Sequence, residues 1–413
     1  MKRTLWKLLN FSVTLVLVTL ALIAIPVAGT ELNTLATADT EDIDLGVGDD
    51  SRWNTKVLVY NVSEDYPQAC YGSRVFDAAT GPGDVFYLVY YDINRNALLL
   101  VRVDKEKVTA EKVVSSARFC GVSVDVNPVN GAPAVSYRAK NSTPFVAYKK
   151  DGVWTPEIVD TNITEGYSTS LAFDRTGTPH IAYEDGTSFS NLMYGKRNPD
   201  GIWTTEIADR GIGGRLGDAG KNPKLRVTDT GAYIAHGDGF IYESLRFSYK
   251  PSGKDWTSVT VDRGWGETGA SSITGLTGLF PTFAMGPDGI ATIIYEDAIN
   301  QTLMKARGPL ANNSFKTSVL MNAEGRELDG WYPVLVNKGS AGSGFTSGHL
   351  VFISPRTSTL WYAEINADST ILPRVEKIDY HISTSTVTSD SAGKPHVFYL
   401  DPLSGRIKYA WLK

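Results

Sequence analysis

Two stretches of this 413-residue chain read LAFDRTGTPHIAYEDGTSFSNLMYGKRNPDGIWTTEIAD (171–209) and KLRVTDTGAYIAHGDGFIYESLRFSYKPSGKDWTSVTVD (224–262). In each, four short runs of alternating apolar and polar residues are separated by turns that contain Gly or Asp. Alternation with a period of two predicts β-strands, and turns this short predict that neighbouring strands run antiparallel. Each stretch is therefore predicted to form a four-stranded antiparallel sheet.

The same pattern recurs along most of the chain. Further units are found at 76–114, 122–160, 282–320, 332–379 and 384–413. One such sheet cannot bury both of its faces alone, and repeated four-stranded units of about 50 residues are typical of β-propeller blades, which pack around an axis. No stretch has a sustained apolar period of 3.6 residues, which argues against a helical solenoid.

The two ends of the chain predict how the ring closes. The last unit stops at Lys413 after three strands, and the missing fourth strand is found at Trp53–Val59, which resembles the fourth strands beginning at Trp154 and Trp203. Closure by the N-terminal strand would leave no free sheet edge. We therefore predict an all-β, seven-bladed β-propeller of four-stranded antiparallel blades over residues 53–413, and a monomer.

The N-terminal region predicts export. Residues 1–29 begin with Lys and Arg, continue with an apolar run over 8–28 and end in small residues, which is typical of a signal peptide. The run is also long enough for an uncleaved membrane anchor, so both alternatives stay open. Residues 30–52 are small, polar and acidic and are predicted to form a disordered stalk. We expect a secreted or cell-surface protein with no membrane contact beyond this segment.

Charge and cysteine content add two expectations. The formal net charge is −5, and an acidic protein repels phosphate backbones, so we exclude nucleic acid as a partner. Cys70 and Cys120 each precede the first strand of adjacent units, where first strands converge, so we expect a disulfide between them in an exported protein. Asn-x-Ser/Thr sequences, which permit glycosylation, begin at Asn61, Asn141, Asn162, Asn300 and Asn312.

Three connections between units are longer than the others. They span 209–222, 262–280 and 320–331 and precede three consecutive blades, so they are predicted to form one raised rim on one face of the ring. Aromatic rings bind the apolar faces of sugars, while Arg and carboxylates fix polar groups. The predicted ligand-binding residues in this rim are Arg215, Trp265, Glu267, Arg326, Asp329 and Trp331.

The turns at 198–203 (NPDGIW) and 250–256 (KPSGKDW) resemble degenerate Asp-boxes of sialidase-type, BNR-repeat propellers. The resemblance covers most of residues 53–413, and it implies a propeller fold more than an activity. Sialidases of this kind also use an Arg at the opening of the first blade and a Tyr nucleophile, paired with a Glu, near the first strand of a late blade. Arg74 and Tyr332 stand at comparable places and are the catalytic candidates that the resemblance implies.

Two other recurring residue types are interpreted as structural. An Asp follows the second strand in five units and is expected to accept hydrogen bonds from the backbone of its own turn. His180, His349 and His396 share one position in three different units, so they are not expected to meet around a metal. The sequence contains no phosphate-binding loop and no calcium-binding loop, and we predict neither a metal nor a cofactor.

These features favour a binding module over an enzyme. The expected function is recognition of a glycan or an extracellular protein on the loop-rich face, without catalysis. A sialidase-like exo-glycosidase is one alternative and would need an Arg cluster beside a Tyr–Glu pair or two carboxylates. A structural cell-surface spacer is the other alternative. Propellers host many unrelated functions, so the fold by itself does not decide between them.

Overall fold

The computed structural model describes residues 52–62, 76–115, 121–139, 142–163, 168–186, 190–212, 218–239, 244–263, 277–286, 289–310, 314–339 and 344–413. The predicted leader and stalk, and the predicted disulfide between Cys70 and Cys120, lie outside these residues and stay predictions. Within them no helix is long and apolar enough to cross a membrane.

The described residues form seven sheets of four antiparallel strands. Blade 1 consists of β2 (Phe76–Gly81), β3 (Val85–Asp92), β4 (Ala97–Asp104) and β5 (Lys107–Ser115), and blade 2 of β6 (Ser123–Val126), β7 (Pro133–Arg138), β8 (Pro144–Lys150) and β9 (Val153–Ile158). Blade 3 consists of β10 (Thr169–Phe173), β11 (Pro179–Asp185), β12 (Asn191–Arg197) and β13 (Trp203–Asp209). Blade 4 consists of β14 (Ala219–Thr228), β15 (Gly231–Asp238), β16 (Ser244–Pro251) and β17 (Thr257–Asp262).

The strands of blades 5 to 7 are β18 (Thr277–Met285), β19 (Ile290–Asp297), β20 (Thr302–Pro309) and β21 (Lys316–Val319); β23 (Trp331–Asn337), β24 (Ser347–Ile353), β25 (Leu360–Asn366) and β27 (Val375–Asp379); and β28 (Thr384–Ser389), β29 (Pro395–Asp401), β30 (Arg406–Leu412) and β1 (Trp53–Val59). A short parallel pair, β22 (Met321–Asn322) with β26 (Ile371–Leu372), lies beside blades 5 and 6.

The ring closes as the sequence predicts. Strand β1 pairs antiparallel with β30, from Trp53 opposite Leu412 to Val57 opposite Lys408, and completes blade 7. The first strands of neighbouring blades contact one another all the way round, including β28 of blade 7 against β2 of blade 1. The seven-bladed β-propeller is therefore confirmed.

Burial follows from the position of each strand in its blade. The second strands lie between the faces of two neighbouring blades, so β3 is buried at all eight positions, and its sequence VFYLVYYD is almost continuously apolar. The fourth strand β9 lies at the outer edge and is half-buried or exposed throughout. The core is accordingly a set of apolar clusters between adjacent blades, not one central cluster.

A repeated hydrogen bond fastens neighbouring blades. An Asp at or just after the end of one fourth strand accepts from a Tyr on the second strand of the next blade, as in Asp160 with Tyr183 (2.8 Å) and Asp379 with Tyr399 (3.1 Å). Between blades 5 and 6 both positions are apolar, and Leu320 and Phe352 share one buried cluster. Where the buried Asp–Tyr hydrogen bond is absent, both residues are replaced by apolar ones, so no buried polar group is left without a partner.

Candidate functional site

The site begins with a four-residue motif that starts three consecutive blades. Gly-x-(Asn/Phe/Tyr)-Pro occurs at 220–223 in blade 4, at 278–281 in blade 5 and at 330–333 in blade 6. In each blade the pairing of the first strand with the second is interrupted at this motif, whereas the first strands of blades 1, 2, 3 and 7 pair without interruption. We call the three interrupted segments, 219–224, 277–282 and 331–334, the bulged arc.

The residue before each proline has a left-handed backbone. The φ angles are 47° at Asn222, 48° at Phe280 and 54° at Tyr332. Asn tolerates this conformation, but it is unusual for bulky aromatic residues. Non-glycine residues held there cost on the order of 1–3 kcal/mol each, and such strain concentrates at functional sites. In the first strands of blades 1, 2, 3 and 7 no described residue other than glycine has a left-handed backbone, so among the described first strands only those of the bulged arc carry this cost.

Two glycines let the bulges press against the preceding blade. Gly278 has φ 81°, and a Cβ atom there would lie 2.4 Å from the backbone nitrogen of Leu245 in blade 4. Gly220 has φ 96°, and its Cβ would lie 3.1 Å from Cα of Leu192 in blade 3. Only glycine combines this backbone conformation with so close a backbone approach.

Between blades 5 and 6 the arc contains a buried acid among aromatic rings. Glu296, the penultimate residue of β19, accepts a hydrogen bond from the backbone N–H of Tyr332. The Tyr332 ring lies edge-on to Phe280, with centroids 4.3 Å apart, and 6.3 Å from the Trp331 ring. Burial, and next the Glu296 carboxyl, raise the pKa of Tyr332. Tyr332 thus links the buried Glu296 to a cluster of three aromatic side chains, Phe280, Tyr332 and Trp331.

The carboxyl group of Glu296 is neutral at pH 7. Burial raises its pKa to about 8, against the opposing effect of the Tyr332 backbone N–H, and Asp297 adds a smaller increase. Its residue is only 4% exposed, and its Oε2 finds no hydrogen-bond partner among the described residues. A protonated carboxyl with an unused oxygen can both donate to and accept from a ligand hydroxyl.

Between blades 3 and 4 the equivalent acid has a different partner. Glu184 has the same place in β11 as Glu296 in β19, within the shared sequence Tyr-Glu-Asp. Its Oε1 lies 2.6 Å from Nζ of Lys221, the second residue of the blade 4 motif, and Asp218 lies 3.2 Å from the same Nζ. Burial lowers the pKa of Lys221, but the two carboxylates outweigh it and the net shift is upward.

The structure brings together part of the predicted site. Trp331 and Tyr332 lie side by side in the arc. Asp329 accepts from the Ser354 hydroxyl at 2.6 Å and so joins the loop to blade 6. Arg326 is exposed at a hairpin turn closed by Asn322, whose side chain accepts from the Arg326 backbone N–H at 2.9 Å. Four further predicted residues lie outside the described residues: Arg74, Arg215, Trp265 and Glu267.

The recurring Asp and His residues have structural partners. Asp297 and Asp401 accept from backbone N–H groups of their own turns, at 3.1 Å from Asn300 and 3.2 Å from Ser404, as predicted. For Asp238 the prediction is wrong, because it accepts from Ile212 (2.7 Å) and Asp218 (3.1 Å) in the connection before its blade. Each of the three His residues bonds through Nδ1 to a Tyr hydroxyl of its own blade, for example His349 to Tyr362 at 2.8 Å. In the described part of the chain no group of three or more His, Cys, Asp or Glu could hold a metal ion.

Charged residues of the first strands meet at the axis of the ring. Lys224 Nζ in blade 4 lies 3.7 Å from Asp77 in blade 1, and because these blades are not neighbours, the contact crosses the axis. Asp77 and Asp125 also accept backbone N–H groups of the next blade, from Val124 (3.3 Å) and Phe173 (2.8 Å). Burial raises the pKa of Asp125 to about 6. These contacts join the first strands of opposite and neighbouring blades, so we assign them a structural role.

Comparison with known proteins places the chain by fold. No family model and no curated protein sequence matches it. The BP39L lectin from Burkholderia pseudomallei is 12% identical, with a TM-score of 0.58 over 83% of this chain and 96% of that one. The α-L-arabinofuranosidase Arb93a from Fusarium graminearum, in complex with an iminosugar inhibitor, is 11% identical, with a TM-score of 0.51 over 88% and 98%. These similarities show a shared β-propeller fold.

Sequence reasoning missed the bulges and Glu296, although a signal for the bulges exists. The spacing of Gly and Pro in 220–223, 278–281 and 330–333 is the same, and it occurs only where a long connection precedes the blade. Gly followed by a proline three residues later marks a break in a strand. The three repeats in consecutive blades therefore identify this arc without a structure.

Proposed function

We propose that this protein is a glycan-binding β-propeller and that the bulged arc is its ligand site. The observation that carries the proposal is the buried Oε2 of Glu296, which has no hydrogen-bond partner among the described residues, next to Tyr332, whose ring lies 6.3 Å from that of Trp331. Sugar rings offer apolar faces to aromatic side chains and hydroxyl groups to carboxyl oxygens. The Lys221 ammonium with Glu184 and Asp218 extends the arc with further donors and acceptors.

The fold comparison supports carbohydrate as the first ligand class to test. The propeller with a TM-score of 0.58 is a lectin, and the one with a TM-score of 0.51 is an α-L-arabinofuranosidase. Both act on carbohydrates according to their names, but at 12% and 11% identity they carry no residue assignments to this chain. The argument for the site therefore rests on the arc itself.

A glycan array probed with the whole chain tests the proposal, read for retained protein and for released sugar. Retention without release supports a lectin-like protein. The matched variants are Trp331→Phe in the arc and Trp154→Phe in blade 2, because both indoles are half-buried. The proposal expects weaker retention only for Trp331→Phe. Retention of no glycan at all would favour an extracellular protein ligand or the structural spacer.

Glycoside hydrolysis is the second candidate, and one observation favours it. A glycosidase needs a carboxyl that is protonated at working pH to donate a proton to the leaving group, and burial raises the pKa of Glu296 to about 8. Tyr332 beside Glu296 agrees with the Tyr–Glu pair that the sialidase resemblance implies. Released sugar that disappears in Glu296→Gln would establish this activity, and sialic acid as the released sugar would support the sialidase type.

We infer from the sequence that the protein is exported, with residues 1–29 as signal peptide or anchor, and that Cys70 and Cys120 form a disulfide. Intact mass after alkylation of the denatured protein, with and without prior reduction, tests the disulfide. With the bond present two adducts appear only after reduction, whereas free thiols are alkylated without it. N-terminal sequencing of the mature protein distinguishes the cleaved signal from the anchor.

A further inference from the structure

A second cleft lies on the face of the ring opposite the bulged arc, between blades 3 and 4. It encloses about 580 Å³, a volume typical of small-molecule sites. Tyr194 and Ala232 form a buried floor, and Lys196, Glu206 and Lys250 form the walls. The cleft shares no residue with the arc.

The side chain at one position of the third strand, Lys196 in blade 3, explains why the cleft between blades 3 and 4 is open. Opposite the fourth strand, blade 2 has Tyr148 and blade 4 has Tyr249 at this position, and both rings are half-buried towards the next blade. The Arg197 guanidinium carbon lies 5.6 Å from the centre of the Tyr148 ring, and the Tyr249 hydroxyl donates to the Leu310 carbonyl oxygen at 3.2 Å. Blade 3 has the exposed Lys196 here instead.

The ion pair across the filled groove between blades 2 and 3 has an equivalent across the open groove between blades 3 and 4. Lys250 Nζ lies 2.6 Å from Glu206, and the equivalent Arg197 lies 2.7 Å from Glu157 across the groove that Tyr148 fills. The cleft thus has the ion pair that borders the Tyr148 side chain in the neighbouring groove, but it has no tyrosine ring to fill it. Its lining carries three carboxylates, three Lys or Arg side chains and, besides the Tyr194 hydroxyl, the four aliphatic hydroxyl groups of Thr176, Thr204, Thr228 and Ser252.

We propose that this cleft binds a neutral saccharide residue, whose ring occupies the space that Tyr148 and Tyr249 fill in the neighbouring blades. A pyranose ring has an apolar face of similar extent and a rim of hydroxyl groups. Balanced charges and hydroxyls suit such a rim and give no net attraction to a carboxylated sugar. The site does not depend on the function of the bulged arc.

Saturation-transfer NMR of the whole chain tests this with methyl α-D-glucopyranoside, methyl β-D-galactopyranoside, methyl α-D-mannopyranoside and p-cresol as probes. At least one glycoside is expected to bind. Lys196→Tyr gives blade 3 the side chain of blades 2 and 4 and is expected to weaken that binding at least tenfold. Ser252→Trp on an exposed turn of the same cleft is a second blocking variant, and Lys150→Tyr on exposed blade 2 surface is the matched control.

The outcomes separate the two sites. Glycoside binding that survives Trp331→Phe and Lys150→Tyr but is lost in Lys196→Tyr or Ser252→Trp supports the cleft, whatever the array shows for the arc. Equal binding in wild type and both blocking variants overturns it, as does a loss confined to Trp331→Phe. Binding of p-cresol without any glycoside overturns the saccharide as the ligand, and so does the absence of any signal.

Discussion

The ring consists of two arcs that use the same blade differently. In blades 7, 1, 2 and 3 the first strand pairs without interruption, while in blades 4, 5 and 6 it opens into a bulge at Gly-x-(Asn/Phe/Tyr)-Pro. Both arcs close the same ring, so closure does not require the bulges. The left-handed Phe280 and Tyr332, and the Glu296 Oε2 that has no hydrogen-bond partner among the described residues, therefore lie in or beside bulges that ring closure does not need, which agrees with the proposed ligand site.

The largest expected effect concerns the tightness of the bulges. Gly278→Ala should destabilise the protein by about 4 kcal/mol or more, since its Cβ would meet the Leu245 backbone at 2.4 Å. Gly83→Ala in blade 1 also places Ala at a positive φ, 71°, but its Cβ meets nothing within 4 Å. It should cost about 1 kcal/mol. Urea unfolding measures both, and equal losses would contradict the close approach.

The two equivalent acids give the next contrast. Glu184→Gln should cost about 2 kcal/mol at pH 7, because it removes a charged partner of the partly buried Lys221. Glu296→Gln should cost no more than about 1 kcal/mol, because the amide is neutral without binding a proton, whereas the folded wild-type carboxyl must bind one at pH 7 to be neutral. Free energies of unfolding from urea titrations at pH 7 measure both, and the reverse order would refute the assigned protonation states.

The raised pKa of Glu296 predicts that the free energy of unfolding depends on pH. Its pKa is raised from 4.5 to about 8, so the folded protein holds a proton that the unfolded chain releases between these values. The stability contributed by Glu296 is complete below pH 4.5 and is lost as the pH rises to about 8. The difference in unfolding free energy between wild type and Glu296→Gln should therefore fall across this window and level off above it. A flat difference across urea titrations from pH 4 to 9 would show an ordinary pKa.

A smaller effect tests binding. Trp331→Phe should weaken the affinity for an array-retained glycan about tenfold, equivalent to about 1.4 kcal/mol, because a smaller ring loses contact area. Trp154→Phe in the regular arc should leave the affinity unchanged. Isothermal titration calorimetry measures both, and equal weakening would place the ligand outside the arc or point to a general loss of structure.

The smallest effect on stability is expected at Arg326, which the sequence predicts to be a ligand-binding residue. Arg326 is exposed on its hairpin turn, so Arg326→Ala should change the free energy of unfolding by less than about 0.5 kcal/mol. Its glycan affinity should equal that of the wild type, since the proposed site is carried by Glu296, Tyr332 and Trp331. An affinity loss without a stability loss would restore Arg326 to the site.

The sequence predicts what repeats and misses what depends on the next blade. The seventh blade could be assembled from Trp53 and Lys413 because strand pattern and repeat length are local. Glu184 and Glu296 lie in the same Tyr-Glu-Asp sequence, yet one meets Lys221 and the other meets Tyr332. Those partners come from the following blade, so no local pattern separates an acid paired with a lysine from one that meets a backbone N–H. The left-handed backbone of Tyr332 likewise follows from packing and not from periodicity.

Hydrogen–deuterium exchange with and without the best-retained glycan tests the central claim most directly, because it compares the two arcs in one experiment. The account predicts slower exchange on binding in 219–224, 277–282 and 331–334, and no change in the corresponding first-strand segments 76–81, 123–126, 169–173 and 384–389. Protection confined to the regular first strands, or no protection in the bulged arc at saturating glycan, would contradict it.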